Sequence, residues 1–136
     1  MTKDYVPITI TIHYSKPPNE MISVEPETAQ IFHTSNPKKV SWEVEGLKAG
    51  DEVIVSPKRY LIPELRSIFG GKEIKPPAKT TNPAKEHQPN PTALAALQAA
   101  ASTPGQRIYW VYDVILKRAG ETIGYRDPLV LIDKDP

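Results

Sequence analysis

The sequence predicts a mainly β protein, an antiparallel Greek-key β-sandwich with one short α-helix inserted before the final strands. Short stretches in which apolar and polar residues alternate recur at intervals of about ten residues, with turn signals between them. Proline is abundant, with 15 among 136 residues, which favours extended segments and turns over long helices. The longest alternating stretch, residues 107–118, has large apolar or aromatic side chains at its even positions, so it predicts a long strand with one face in the core.

Five further strands are predicted ahead of this one. Val40, Trp42 and Val44, for example, alternate with polar residues, which indicates a half-buried strand. Turn residues, such as those at 16–19 and 50–51, separate the segments. The five predicted strands cover residues 6–14, 21–24, 29–33, 40–44 and 53–55.

The middle of the chain departs from this pattern in a Pro- and Lys-rich excursion, residues 57–90. Between Lys72 and Asn90 the only large apolar residue is Ile74, so burial cannot offset the conformational entropy of ordering the segment. We therefore expect residues 72–90 to form a dispensable loop that faces solvent.

A helix is predicted over residues 91–101. Pro91 suits the first helical turn, Asn90 can cap it, and the alanine-rich sequence that follows favours a helix strongly. Leu94 and Leu97 lie three residues apart on one face. Because so short a helix does not persist alone, we expect it to dock on the strands.

Two more strands are predicted after the long one. A turn leads to a return strand at residues 122–125, and residues 129–132 form the last strand. The chain 1–136 is therefore expected to be a single β-sandwich domain, into which the excursion 57–90 and the helix 91–101 are inserted.

Two segments resemble a known family. Residues 22–55 contain a Pro-containing corner ahead of a strand, and a V-x-W strand after a short turn. Residues 105–114, GQRIYWVYDV, start at a glycine and then alternate aromatic residues. These features resemble cupredoxin-like and immunoglobulin-like β-sandwiches, and a helix or irregular excursion ahead of the late strand is usual in cupredoxins. The resemblance implies a Greek-key topology of one of these two types.

The copper chemistry of cupredoxins does not carry over. A blue-copper site uses two histidines and a cysteine thiolate. This chain has no cysteine, and Asp113 stands where the cupredoxin strand would supply one. We therefore expect a copper-free version, with no cofactor and no metal site. The three histidines, His13, His33 and His87, are expected to be surface residues without a role.

Composition argues against some classes of partner, and it does not indicate the cellular compartment. The net charge of +1 gives no reason to expect nucleic acid or an anionic membrane as a partner. No run approaches the ~20 apolar residues of a membrane span. The N-terminal residues lack a basic segment followed by a long apolar one, so no signal peptide is expected. Both a cytoplasmic protein and a mature exported domain fit this pattern.

Charge and exposed aromatic residues suggest an interaction surface. Trp42 and Trp110 lie in register with apolar neighbours and are expected in the core, whereas Tyr109 and Tyr125 are expected to be exposed. Residues 57–85 hold seven Lys or Arg and two Glu, a net charge of +5, so a basic arm could bind an acidic protein partner. The simpler interpretation, which we favour, is that these lysines keep a Pro-rich loop soluble. The candidate surface comprises Lys72, Lys75, Lys79, Lys85, Tyr109 and Tyr125.

The function predicted from these features is that of a non-catalytic β-sandwich module that binds another protein. Sheet edges and long loops are where such domains usually make contacts. The alternative is binding of a carbohydrate or small ligand through exposed aromatic rings. An enzyme of unrecognised type ranks third, because no set of acid, base, nucleophile or metal ligands stands out in the sequence.

Overall fold

The structure is a computed structural model that describes residues 4–33, 35–59, 62–79, 85–100 and 107–133. Within these residues the chain is mainly β, as predicted, with two sheets and two short α-helices. The elements, in order, are β1 (Tyr5–Ile12), β2 (Ile22–Glu25), β3 (Thr28–Phe32), β4 (Lys39–Glu45), β5 (Asp51–Pro57), α1 (Pro63–Arg66), α2 (Pro91–Ala100), β6 (Ile108–Arg118), β7 (Glu121–Arg126) and β8 (Leu129–Asp133).

Helix α2 confirms the helix predicted from residue 91 onwards, although Ala101 lies outside the described residues. Asn90 caps it, since its side-chain oxygen accepts hydrogen bonds from the N–H groups of Thr92 (2.9 Å) and Ala93 (3.1 Å). Leu94 is buried, which agrees with a docked helix.

Helix α1 and the 3-10 turn that follows it, Ser67–Phe69, were not predicted, so the expectation of a single helix is wrong. Four residues are too few to show a helical period in the sequence. The segment ends at Gly70, whose positive φ of 98° is a conformation that glycine adopts readily. The turn places Ile68 and Phe69 in the core.

Sheet A has three strands in the order β2-β1-β4, and sheet B has the order β3-β8-β6-β5, with β7 also paired to β6. The long strand β6 organises sheet B. One of its edges pairs with β5, and the other pairs first with β8 and then with β7.

Two of the strand pairs are parallel, β1 with β4 and β3 with β8, so the prediction of a purely antiparallel arrangement is wrong for these pairs. The chain leaves sheet A after β2, adds β3 to sheet B and then returns to sheet A as β4. Alternation of apolar residues specifies which side chains face inward, but it does not specify the direction of the neighbouring strand.

The core lies between the two sheets, and aromatic rings fill its centre. Both tryptophans are buried there, as predicted, with 1% of each residue exposed. The Trp42 indole N–H donates a hydrogen bond to the Tyr112 hydroxyl (3.1 Å). The Trp110 ring packs 5.8 Å from Trp42 and 4.7 Å from Phe69, between ring centroids. The 3-10 turn therefore completes an aromatic cluster that both sheets share.

The strap is our name for residues 73–79 and 85–90, which run along the outermost strands β5 and β4. At β5, Ile74 and Val55 each donate a backbone N–H to the other's carbonyl oxygen (both 2.8 Å). The strap thus closes an edge of sheet B at this point.

The strap also closes the edge of sheet A. The Lys79 N–H donates to the Val44 carbonyl, and the Val44 N–H donates to the Pro77 carbonyl (both 3.0 Å). Further along β4, His87 donates to Val40 (2.7 Å) and accepts from it (3.0 Å). One segment is therefore hydrogen-bonded to the edges of both sheets.

Most strap side chains are exposed, as predicted, but the segment is not a free loop, because its backbone is hydrogen-bonded to both sheets. The sequence argument counted apolar side chains, and it omitted the backbone hydrogen bonds that an open strand edge offers. Prolines such as Pro76, Pro77 and Pro89 also reduce the entropy that ordering costs, because they restrict the unfolded chain.

Candidate functional site

The outer face of sheet A is mostly polar. Its inward positions carry the apolar residues of β1, β2 and β4, so the alternate side chains point outward. The Thr9 hydroxyl, for example, donates a hydrogen bond to Glu43 across the parallel pair (3.0 Å). The outward residues include Thr9, Thr11, Ser23, Glu25, Ser41, Glu43 and Glu45.

The outer face of sheet B carries a group of apolar and aromatic side chains among polar ones such as Asp113 and Lys117. Strand register makes these side chains cross-strand neighbours, because Tyr109 is opposite Leu131, and Ile115 lies between Ile54 and Tyr125. We call this surface the apolar face; it comprises Ile54, Tyr109, Val111, Ile115, Tyr125, Leu129 and Leu131.

Tyr109 and Tyr125 are the exposed members of the apolar face, with 52% and 50% of each residue accessible, which confirms their predicted exposure. Tyr109 and the position opposite Tyr125 are six residues apart on β6, or about 20 Å. The aliphatic members between the tyrosines are half-buried, apart from Ile54, which is buried. Asp113, opposite Ser56, lies between Val111 and Ile115 on the same side of β6, so the tyrosines stand near the two ends of a face that a polar row divides.

The sequence reasoning missed the aliphatic members of this face. The signal was present in the continuous apolar runs at residues 53–55 and 129–132, and in Val111 and Ile115 of β6. Such runs indicate strands covered on both faces, whereas only the inward positions were used in the prediction.

A charged cluster interrupts the apolar face at Asp113, where Lys58 forms ion pairs with Asp113 and with Asp127 (2.7 Å to the latter). Burial alone lowers the pKa of Lys58, but its hydrogen bonds to the two carboxylates raise it overall. Burial and the neighbouring Asp127 raise the pKa of Asp113, while Lys58 lowers the pKa of Asp127. The Asp113 carboxyl group is thus already bound to the Lys58 ammonium.

A pocket of about 280 Å³ lies at the Tyr125 end of the apolar face. Asn19, Glu27, Arg126 and Asp127 line it together with Tyr125. The Arg126 guanidinium forms an ion pair with Glu27 across the pocket wall. An exposed aromatic ring beside amide, carboxylate and guanidinium groups offers stacking together with several hydrogen-bond donors and acceptors.

The four lysines of the predicted surface are on the strap or next to it, and not on the apolar face. Lys75 pairs with Glu52 of β5 (3.4 Å), and Lys79 pairs with Glu45 of β4 (3.3 Å). These lysines therefore find carboxylates on the protein's own edge strands. Such exposed pairs contribute little to stability.

The remaining two lysines, Lys72 and Lys85, are exposed. Among the described residues, neither has a carboxylate within ion-pairing distance. The predicted surface is thus divided: its two tyrosines share one sheet face, and its lysines follow the strap.

The histidines have separate environments. His13 bonds to the Ser23 hydroxyl (2.9 Å), and His33 lies after β3. His87, expected at the surface, is half-buried, and its ring lies 5.3 Å from that of Trp42. The described part of the chain holds no group of three or more His, Asp or Glu side chains arranged to hold a metal ion.

His87 should make stability depend on pH. Burial, with a smaller contribution from Lys85, lowers its pKa below the usual value of about 6.5. The unfolded chain therefore binds the proton more readily, so the contribution of neutral His87 is complete above about pH 6.5 and is lost as the pH falls. We expect the free energy of unfolding, measured by urea titration, to decline between pH 7.5 and 5.5.

The variant His87→Phe keeps a ring against Trp42 and removes the titrating group, so it should flatten this decline. His13→Gln is the matched control, because it removes another histidine from outside the core and should leave the decline unchanged. An equally steep decline in both variants would show that His87 is not its source.

Comparisons with protein-family models, with curated proteins and with solved structures find no match to this chain. In the part of the chain that the structure describes, no helix combines the length and apolar character needed to cross a membrane.

Proposed function

We propose that the protein is a non-catalytic binding module that binds another protein through the apolar face. The observation that carries this proposal is the contrast between the two sheets: one outer face is polar, and the other joins aliphatic residues to two exposed tyrosines. Exposed apolar side chains beside polar and charged ones are typical of protein interfaces.

The composition of the apolar face suits an interface. Tyrosine is enriched at interfaces and among the residues that dominate binding energy, because it buries a large rigid ring and keeps a polar hydroxyl. Burial of apolar area contributes roughly 25 cal/mol per Å². The strands hold these side chains on a hydrogen-bonded scaffold, so binding costs little backbone conformational entropy.

A finer fold assignment is part of the proposal. We propose a single-domain Greek-key sandwich of the cupredoxin-like or immunoglobulin-like type. Support comes from the two sheets around one core and from the helical excursion ahead of the long strand β6.

The acidic character expected of the partner is also a proposal. It depends on Lys72 and Lys85, because Lys75 and Lys79 pair with carboxylates of the protein itself. Replacement of Lys72 and Lys85 by Glu would slow association with an acidic partner and reduce its dependence on salt.

Site-specific photo-crosslinking tests the proposed interface. A benzophenone amino acid at position 109 or 125, in cells that make the protein, should attach to the same partner protein from both positions. The same group at Ser23, on the polar face, is the matched control and should not capture that partner. With the purified partner, Tyr109→Ala and Tyr125→Ala should each weaken binding about tenfold or more. Capture from Ser23 alone, or unchanged affinity in both variants, would contradict the proposal.

The second candidate is binding of a saccharide, favoured by the pocket beside Tyr125. Variants separate the two functions. Asn19 lines this pocket, so Asn19→Ala should weaken saccharide binding and spare the protein partner. Tyr109 lies at the other end of the apolar face, so Tyr109→Ala should have the opposite effect. Chemical shifts during titration with a panel of monosaccharides report saccharide binding directly.

A further inference from the structure

A second pocket, of about 100 Å³, lies away from the apolar face, between the turn after β3 and the junction of the strap with α2. We call it the strap pocket. Phe32, His33 and Lys38 form one wall. The opposite wall, on the strap and the first turns of α2, comprises Gln88, Pro89, Pro91 and Leu94.

Backbone hydrogen bonds hold both walls in place. On the turn, the Phe32 N–H donates to the Pro37 carbonyl (2.9 Å), and the Lys38 N–H donates to the Asp4 carbonyl (3.0 Å). On the strap, the Asn90 N–H donates to the Ile68 carbonyl (2.6 Å). The pocket is therefore preformed, as most small-ligand sites are.

Apolar side chains form about half of the lining of the strap pocket. Leu94 is 4% exposed, Pro89 is also buried, and the Phe32 ring is half-buried. An engineered cavity of about 150 Å³ holds a benzene molecule, so about 100 Å³ suits a chain of about four carbons.

The polar groups of the strap pocket are suited to an anion. Lys38 places an ammonium there, and among the described residues no carboxylate lies within ion-pairing distance of it. The adjacent Lys39, by contrast, pairs with Asp4 (3.2 Å). Gln88, whose side-chain amide is a hydrogen-bond donor, also lines the pocket.

We propose that the strap pocket binds an aliphatic carboxylate, with the hydrocarbon chain against Leu94 and Pro89 and the carboxylate at Lys38. The ligand class follows from a lining that combines apolar side chains with a lysine that has no carboxylate partner among the described residues. Two sources share this chemistry, a free short-chain acid and the C-terminal residue of a peptide that ends in an aliphatic side chain. This site is independent of the protein-binding role proposed for the apolar face.

Titration of the isotopically labelled full chain with butyrate tests the proposal. We expect saturable shifts of the Leu94 methyl and Gln88 side-chain amide resonances, and about tenfold weaker binding of 1-butanol, which has the same chain length without the charge. Lys38→Met should weaken butyrate binding about tenfold and leave butanol binding unchanged. Lys72→Met, which removes an exposed lysine elsewhere, is the matched control and should bind butyrate normally.

Peptides ending in leucine, with a free or an amidated C-terminus, distinguish the two sources. Tighter binding of the free-acid peptide than of butyrate assigns the site to peptide C-termini, and binding of butyrate alone assigns it to free acids. Equal binding of butyrate and butanol, unchanged affinity in folded Lys38→Met, or no saturable shift with butyrate and the free-acid peptide would overturn the proposal. Thermal melts confirm that each variant is folded.

Discussion

Replacing Trp110 with alanine is expected to destabilise the protein by roughly 3–5 kcal/mol, the largest effect of any single substitution considered. Trp110 is 1% exposed and lies between the rings of Trp42, Phe69 and Tyr112. Its removal leaves a large cavity, and it also removes ring contacts that join β6 to sheet A and to the 3-10 turn. The surroundings can collapse only partly, because both sheets are hydrogen-bonded ladders.

Urea melts of purified variants measure this effect, and two companion substitutions make the test specific. Tyr109→Ala, next to Trp110 but on the outer face, should cost less than about 1 kcal/mol. Trp110→Phe should cost less than the alanine variant, because it retains a ring and removes an indole N–H that is buried without a hydrogen-bond partner in the structure. A loss below about 1 kcal/mol for Trp110→Ala would place this residue at the surface instead of in the core.

Disrupting the strap at both sheets is expected to destabilise the protein by about 3 kcal/mol. The double variant Ile74→Pro and His87→Pro removes one N–H donor at each sheet, and it leaves the carbonyls of Val55 and Val40 without these partners. It also removes the contact between His87 and Trp42. The expected loss is larger than for an ordinary loop substitution, since the strap belongs to both ladders.

A second double variant, Lys75→Pro and Gln88→Pro, is the matched control. Each of these residues adjoins a bonded strap position, but among the described residues neither amide donates to a backbone carbonyl. The control should therefore lose less than about 1 kcal/mol. Urea melts and hydrogen exchange of the Val40 and Val55 amides compare the two proteins. Small and equal losses of unfolding free energy in both double variants would show that the strap is a dispensable loop.

Much of the fold could be predicted because the apolar residues of the predicted strands are the ones that the structure buries. Every strand of the described residues overlaps a segment predicted as a strand, and both tryptophans fall at inward positions. The parallel pairing of β1 with β4 could not be predicted in this way, because direction depends on the path of the chain between sheets. Helix α1 was missed because four residues carry no detectable period.

The candidate site was predicted only in part, for a related reason. Tyr109 and Tyr125 were identified as exposed aromatics, but only the register of β6 with β7 and β8 makes them part of one face. Cross-strand neighbours such as Leu131 are distant from β6 in sequence. The strap lysines were identified by composition alone, and composition gives no information about the carboxylates that Lys75 and Lys79 meet on the folded protein.

The parallel pairing of β3 with β8 determines the order in which the two sheets can assemble during synthesis. All three strands of sheet A are translated by residue 45, so this sheet has its partners early. β3 is made before β4, yet its partner in sheet B begins only at Leu129, opposite Thr28. The pairing of β3 with β8 can therefore form only after most of the chain has been made. Closing such a long-range contact slows folding. Until β8 arrives, the nascent protein carries all three strands of sheet A and a β3 segment without its sheet partner.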